Sequence, residues 1–399
     1  MVSTEYPPMK GGVGRYTSNL AKALRELGLR IYIVCNESGK GDFYGLSPTN
    51  VQNSQILLKI VKEINPDIVH IQLEPGMYGL LIDPLNPANS GTYIDSFYLK
   101  CKIPIVTTFH TGYNFKQWMN PASLIKKTGR TGIYGVPLRF AIRFWKNFLN
   151  YKVFKNLNKQ KFGLSHGGIV FSRYMLNNVG GGKIIYHGAQ PVIGTMPKKE
   201  EIRSLFSLPP DSKIALALGF RTITKGWDMI AKMDIPYGWK VVINSSKGHY
   251  NAEKYDLNLI SNANSSYGNN NVINLQRGFL EERDLSLLLY ASDAVILPYK
   301  VTSGSGVMFD ALGHGIPFVA SDIGFFKEFA AQGVGVAVQR SPRAFSVGIK
   351  KLEKNYSYYV RNVDTFRKNL RWDLVAIQHN LLYSSIVNEK NNNNTKITM

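Results

Sequence analysis

Two cations four residues apart, Arg221 and Lys225, follow an apolar run over 214–218 and precede a helical pattern. The stretch Gly219-Phe220-Arg221-Thr222-Ile223-Thr224-Lys225-Gly226 therefore reads as a loop at the carboxyl end of a strand. A guanidinium and an ammonium on one such loop suit the two phosphates of a diphosphate. Taken alone, the pair also reads as two solvated charges of a basic protein. A second stretch carries matching chemistry. Gly304-Ser305-Gly306-Val307 lies between a buried run ending at Pro298 and a helical pattern over 307–314. Helix N-termini present N–H groups and partial positive charge, and small residues let an anion approach the backbone. An ordinary tight turn between strand and helix is the plainer reading. His110 closes a third apolar run, over 103–110, on the edge where such folds take ligands; a structural histidine is the alternative. Gly11, Gly12 and Val13 open a fourth loop at a helix start, and they do not spell the dinucleotide fingerprint.

These residues need strands and helices in alternation to hold them. Apolar runs over 66–72, 103–110, 168–172, 214–218, 240–243, 272–275, 294–297 and 318–320 read as strands. Leu20, Leu24 and Leu27 mark a helix that Gly28 ends, and Leu285, Leu288 and Leu289 mark another. Gly315 and Pro317 stop the helix after Val307. The fold class is α/β, with two doubly wound, Rossmann-like halves and a cleft between them. The expected boundaries are 1–190 for the first domain, 191–198 for a linker and 199–372 for the second. A helix over 373–388 returns towards the first domain, and 389–399 is a polar, disordered tail. The first strand is short, which suggests that a few residues precede Met1.

Bulk composition narrows the partners. The chain has 399 residues and a formal net charge of +21, which points to anionic ligands or surfaces. Cys35 and Cys101 have no metal or redox spacing, which fits a reducing compartment. No apolar run approaches a membrane span, and the first residues are no signal peptide. A cytoplasmic protein is expected.

In order along the chain, the motifs resemble those of retaining GT-B glycosyltransferases of family 4. They are Gly11-Gly12-Val13-Gly14-Arg15, Asp67-Ile68-Val69-His70, Thr108-Phe109-His110, Ile185-Tyr186-His187-Gly188, the Gly219 to Gly226 run, Asp293 to Pro298, and Asp310 to Ser321. The resemblance covers nearly the whole chain. It implies that Arg221 and Lys225 bind the donor diphosphate and stabilise it as it leaves, and that His110 contacts the donor sugar. It further implies that Gly11, Gly12, Val13, Gly304, Ser305, Gly306 and Val307 offer backbone to sugar and phosphates. Arg277, Gly278 and Phe279 fall where the family seats the nucleobase. Asp310 stands for the second Glu of a Glu-x7-Glu motif, which binds ribose hydroxyls; the first falls at Thr302. The implied reaction moves a hexose from a nucleotide-diphosphate sugar to an acceptor with retention, a donor phosphate oxygen taking the acceptor proton. No two aspartates stand two apart, so no D-x-D clamp is present and no metal or other cofactor is expected.

From Ser96 to Lys199 there is no Asp or Glu. Within 113–161, Lys116, Lys126, Lys127, Arg130, Arg139, Arg143, Lys146, Lys152, Lys155, Lys159 and Lys161 interleave with Trp118, Phe144, Trp145 and Phe148. Helical spacing puts Arg139, Arg143, Lys146 and Asn150 on one face and Leu138, Ile142, Trp145 and Leu149 on another. Three readings are open: a core-packed helix with a solvated basic face, an interfacial helix on an anionic membrane, or a nucleic-acid surface. No nucleic-acid motif is present, so no nucleic-acid partner is expected. The resemblance makes this the acceptor side, which points to a glycolipid or polyprenyl-linked acceptor. The rival classes are a catalytically silent homologue that binds membranes or partners, a sugar-nucleotide epimerase, and an NAD-dependent dehydrogenase.

Overall fold

The structure is a computed structural model and describes residues 1–83, 86, 89–119, 136–247 and 271–397. It divides into two compact units. One comprises Met1–Tyr186 and Asp373–Met399, the other His187–Trp372. The stretch expected as a linker belongs to the second unit, because the Val192 N–H donates to Ser286 Oγ at 3.3 Å.

The first unit carries a parallel sheet in the order β1 (Val69–Leu73), β2 (Ile105–Phe109), β3 (Gly167–Val170) and β4 (Lys183–Ile184). The chain start and residues 30–35 do not form full strands. Val2 alone bridges Ile71 on one side and Val34 on the other. Ile33 instead bonds to the Asp42 carboxylate and to the N–H groups of Asp42 and Phe43, which ends regular pairing there. The chain start thus lies between its successor in sequence and β1, so the winding direction changes beside β1.

The helices of this unit are α1 (Gly12–Glu26), α2 (Asn53–Ile64), α3 (Asp95–Lys100), α4 (Phe115–Trp118), α5 (Val136–Gly163) and α6 (Arg173–Val179). Tyr16, Leu20 and Leu24 of α1 are buried at three-to-four spacing. Each such apolar side chain contributes about 1.5–3 kcal/mol by leaving water.

The second unit is a six-stranded parallel sheet. Its order is β10 (Gly335–Val338), β9 (Phe318–Ser321), β8 (Ala294–Leu297), β5 (Lys213–Phe220), β6 (Trp239–Ser246) and β7 (Val272–Asn274). Its helices are α7 (Lys199–Leu205), α8 (Trp227–Ile230), α9 (Glu282–Tyr290), α10 (Gly306–Gly313), α11 (Gly324–Ala330), α12 (Pro342–Lys354) and α13 (Tyr356–Phe366). Trp227, Trp239, Ile243, Ile296 and Phe345 share one buried core. Strands β5 to β7 build outward in one direction and β8 to β10 in the other. The switch point is the β5–β8 pair, and ligands of such sheets bind beyond the carboxyl ends there.

The last helix, α14 (Trp372–Ile397), runs past Glu389, where a disordered tail was expected. No Pro or Gly interrupts the sequence there to stop it. Among the described residues no helix is long and apolar enough to cross a membrane.

In α5 the burial differs from the expected faces. Trp145 is 60% exposed, whereas Tyr151, Val153, Phe154 and Leu157 are buried. Lys161 leaves the basic face altogether: it is 1% exposed and pairs with Asp95 at 2.6 Å. Lys126, Lys127 and Arg130 lie outside the described residues, as do the side chains of Leu138, Arg139, Ile142 and Arg143.

Candidate functional site

Strand β5 ends at Phe220 and delivers Arg221 half-buried at the switch point. The Arg221 guanidinium is steered by β6: Nε donates to Ser245 Oγ at 3.2 Å, and the Arg221 N–H donates to the Ser246 carbonyl at 2.8 Å. A single 3₁₀ turn (Ile223–Lys225) then places Lys225 with its Nζ 3.9 Å from the centre of the Tyr299 ring. A cation over an aromatic face gains about 0.5–2 kcal/mol, enough to hold a long side chain in place. Gly226 closes the turn at φ 73°, and a Cβ there would stand 2.0 Å from the Pro298 carbonyl oxygen. Only glycine tolerates both demands. Lys300 N–H donates to the Thr224 carbonyl at 2.7 Å. The loop after β5 and the loop after β8 are therefore tied together.

Lys199 and Arg203 pair with Asp293, and Lys300 and Arg340 lie against Asp228. Among the described residues neither Arg221 nor Lys225 meets a carboxylate.

The loop after β8 supplies backbone. Ser305 caps α10, its Oγ accepting from the Met308 N–H at 3.2 Å; such a cap contributes about 1 kcal/mol. The N–H groups of Gly306 and Val307 head the helix and have no partner among the described residues, as the first turn of any helix requires. Thr302, where the family motif has Glu, is buried and folds the loop on itself: its hydroxyl donates to the Gly304 carbonyl and accepts from the Gly304 N–H. Asp310 is 3% exposed on α10. His314 Nδ1 donates to the Asp310 carbonyl at 2.7 Å, and Ser286 Oγ donates to His314 Nε2 at 2.6 Å.

The loop after β7 completes the edge. Asn244 pins it by accepting from the Arg277 N–H at 3.0 Å and donating to the Gly278 carbonyl at 2.8 Å. Phe279 stacks on Phe220 with centroids 6.3 Å apart. The Arg277 guanidinium turns elsewhere, onto the Leu205 carbonyl and the Phe206 ring. The parts of this loop left to meet a ligand are the Gly278 backbone and Phe279. Arg221, Lys225, Gly278, Phe279, Gly304, Ser305, Gly306, Val307 and Asp310 are thus gathered in one unit.

His110, Gly11, Gly12 and Val13 belong to the other unit. His110 follows β2 and packs edge-on against Tyr16 and Phe171. The glycine loop is already occupied: the Glu5 carboxylate accepts from the N–H groups of Val13 and Gly14, the latter at 2.9 Å. A Cβ on Gly11 would overlap that carboxylate, at 1.7 Å from Glu5 Cδ. An anion does bind the loop, and it is the protein's own.

Sequence reading missed Glu5 and also Glu74. Val2 bridges Ile71, and Leu73 aligns with Phe109. Register therefore sets Glu5, Glu74 and His110 side by side on the carboxyl edge, at this unit's own switch point. Burial raises both carboxyls, Glu74 to about 7, against hydrogen bonds from Thr111 and Gly76. The signal was available in Glu74, which follows a strand as directly as His110 does. His187, quoted in a motif but given no role, stacks its ring on Phe309 at 5.6 Å and stands beside Gly306.

Two parallel doubly wound units, each with its loops at a switch point, match known architectures along their full length. Sucrose-phosphate synthase from Thermosynechococcus elongatus superposes with a TM-score of 0.66 at 14% identity, over 96% of this chain and 98% of that one. The chain has the GT-B fold. The same GT-B arrangement is found in HepE of Anabaena, solved in complex with UDP (TM-score 0.62, 14% identity, 96% and 98% covered). It recurs in WaaG, a glycosyltransferase of lipopolysaccharide biosynthesis (0.57, 13%, 96% and 97%). Residues 10–151 match the family model Glycosyltransferase Family 4, in accord with the resemblance read from the motifs. No curated protein matches the sequence.

Proposed function

We propose that the protein is a glycosyltransferase that moves a hexose from a nucleotide-diphosphate sugar to an acceptor, with retention of anomeric configuration. The observation that carries this is the pair Arg221 and Lys225, which meets no carboxylate among the described residues, on a loop tied through Lys300 and Thr224 to the one that leads to the N–H groups heading α10. Two cations and two aligned N–H groups neutralise a diphosphate as it departs, which is the charge that develops in the reaction. They supply what a divalent cation otherwise would, so transfer proceeds without added metal. Gly278 and Phe279 seat the base, with Phe279 offering a ring face. Asp310 serves the ribose and His110 the sugar. A donor phosphate oxygen takes the acceptor proton, so the protein's task is positioning and charge. HepE, a structural neighbour, has been solved with UDP-glucose, which supports a donor of this class.

The acceptor is a membrane-bound glycolipid or polyprenyl-linked sugar, taken at the cytoplasmic face. Exposed Phe115, Phe144 and Trp145 support this, with Lys116, Lys146, Lys152, Lys155 and Lys159 exposed on the same two helices. Apolar rings among lysines are the composition of interfacial helices, and each basic residue near an anionic surface adds about 1 kcal/mol. A second reading, a silent homologue that binds donor without transfer, draws on Thr302 in the place of a carboxylate. A panel of nucleotide sugars screened by thermal shift in EDTA, followed by transfer into a membrane lipid extract, separates them. Donor binding with transfer is expected. Binding without transfer favours the silent homologue, and no binding at all removes both.

A further inference from the structure

His110 is one end of a chain of buried side chains that runs beneath the sheet edge to α14. His110 Nε2 lies 3.0 Å from Gln72 Oε1. Gln72 Nε2 lies 3.3 Å from His70 Nε2, which is also 2.7 Å from Thr108 Oγ1. His70 Nδ1 lies 2.6 Å from the Tyr383 hydroxyl on α14. Gln72 and Thr108 are fully buried and stand opposite each other in the β1–β2 register, and His70 and Tyr383 are nearly as buried. With the Gln72 amide oxygen towards His110 and its nitrogen towards His70, one assignment of protons serves these bonds. An amide oxygen only accepts, so His110 carries its proton on Nε2 and donates it. An amide nitrogen only donates, so His70 Nε2 accepts from Gln72 and from Thr108. The His70 proton is then on Nδ1 and is donated to Tyr383. His70 and Tyr383 are uncharged near neutrality, because burial holds His70 well below the usual histidine range and Tyr383 well above the usual tyrosine range.

We propose that Gln72 is a positioning residue for His110, and that Tyr383 holds Gln72 in turn through His70. Gln72 fixes the tautomer, while Tyr16 and Phe171 pack against the ring. It leaves Nδ1 without a proton, the form in which that nitrogen accepts a hydrogen bond. A free imidazole samples both tautomers, and one of them is excluded in advance. A group pre-organised in this way spends no reorganisation during the reaction. The inference rests on the reading of His110 as the residue that meets the sugar. The tautomer itself does not depend on that reading.

The test uses the full chain labelled with ¹⁵N-histidine. Wild type is expected to show His110 as a single Nε2-protonated tautomer. Gln72→Leu removes the acceptor, and His110 is expected to show both tautomers. In transfer assays Gln72→Leu should lower kcat by about tenfold or more with donor KM changed by less than about twofold, because the lost interaction acts in the transition state. Should Gln72→Leu not fold, Gln72→Asn, too short to reach His110, replaces it. An unchanged Nε2-protonated His110 in these variants overturns the proposal whatever the activity. If instead the tautomer scrambles while His110→Ala transfers normally, the positioning stands and the role given to His110 fails.

Discussion

Glu74→Gln should make the protein more stable at alkaline pH and change it much less in mild acid. Burial raises the Glu74 carboxyl from 4.5 to about 7, and the nearby Glu5 carboxylate adds to the effect. The folded state therefore holds the proton more tightly than the unfolded chain does. That preference stabilises the fold fully below pH 4.5 and is lost as pH rises through about 7. At pH 8.5 the native protein carries an ionised carboxylate in a site that disfavours it. The displacement corresponds to roughly 3 kcal/mol, and partial contact with solvent reduces this to about 2 kcal/mol. Glutamine has nearly the same shape and never ionises. Urea unfolding of both proteins at pH 5 and pH 8.5, followed by a probe in the first unit, reads the difference. The variant should gain about 2 kcal/mol at pH 8.5 and about 0.8 kcal/mol at pH 5. An equal change at both pH values, or a loss at pH 8.5, refutes the account of Glu74.

Three further outcomes follow from the same structure. Gly226→Ala should cost about 2 kcal/mol or more in urea unfolding of the second unit, because φ is 73° and the Pro298 carbonyl occupies the place of a Cβ; a loss under about 0.5 kcal/mol would argue that the turn adapts. Burial lowers His379 to about 4 and His70 well below its usual range. The unfolded chain therefore takes those protons first, and stability of the first unit should fall as pH drops from about 6.5 towards 4. His379→Gln should flatten that slope, as melts across this range will tell. Trp145→Ser with Lys146→Glu should weaken co-sedimentation with anionic vesicles by about tenfold or more, while neutral vesicles bind neither protein; indifference of wild type to anionic lipid contradicts the membrane reading.

Elements bounded by strong local signals were legible in the sequence. Strand β8 falls at Ala294–Leu297 as the apolar run and Pro298 dictate, and α10 begins one residue early because Ser305 takes the cap. The loops carrying Arg221, Lys225 and Ser305 follow from strand ends alone. Other features depend on which strand lies beside which. Glu5 reaches the Val13 and Gly14 N–H groups, Gln72 reaches His110, and Lys161 finds Asp95 across the fold. No local pattern contains those partners. Helical period likewise marked an apolar stripe on α5, but it does not say which part of a 28-residue helix is covered. Among the described side chains the buried ones lie in the later turns, and Trp145 stays in solvent.

The central claim is that Arg221 and Lys225 hold a diphosphate with no metal between. Calorimetric titration of the full chain with a panel of nucleoside diphosphates, in EDTA, tests it most directly. At least one is expected to bind, and Arg221→Ala and Lys225→Ala should each weaken it by about 10- to 100-fold, as the loss of one charge-assisted hydrogen bond of about 1.5–3 kcal/mol requires. Binding that appears only with added Mg²⁺, or that both variants retain at full strength, would contradict the account.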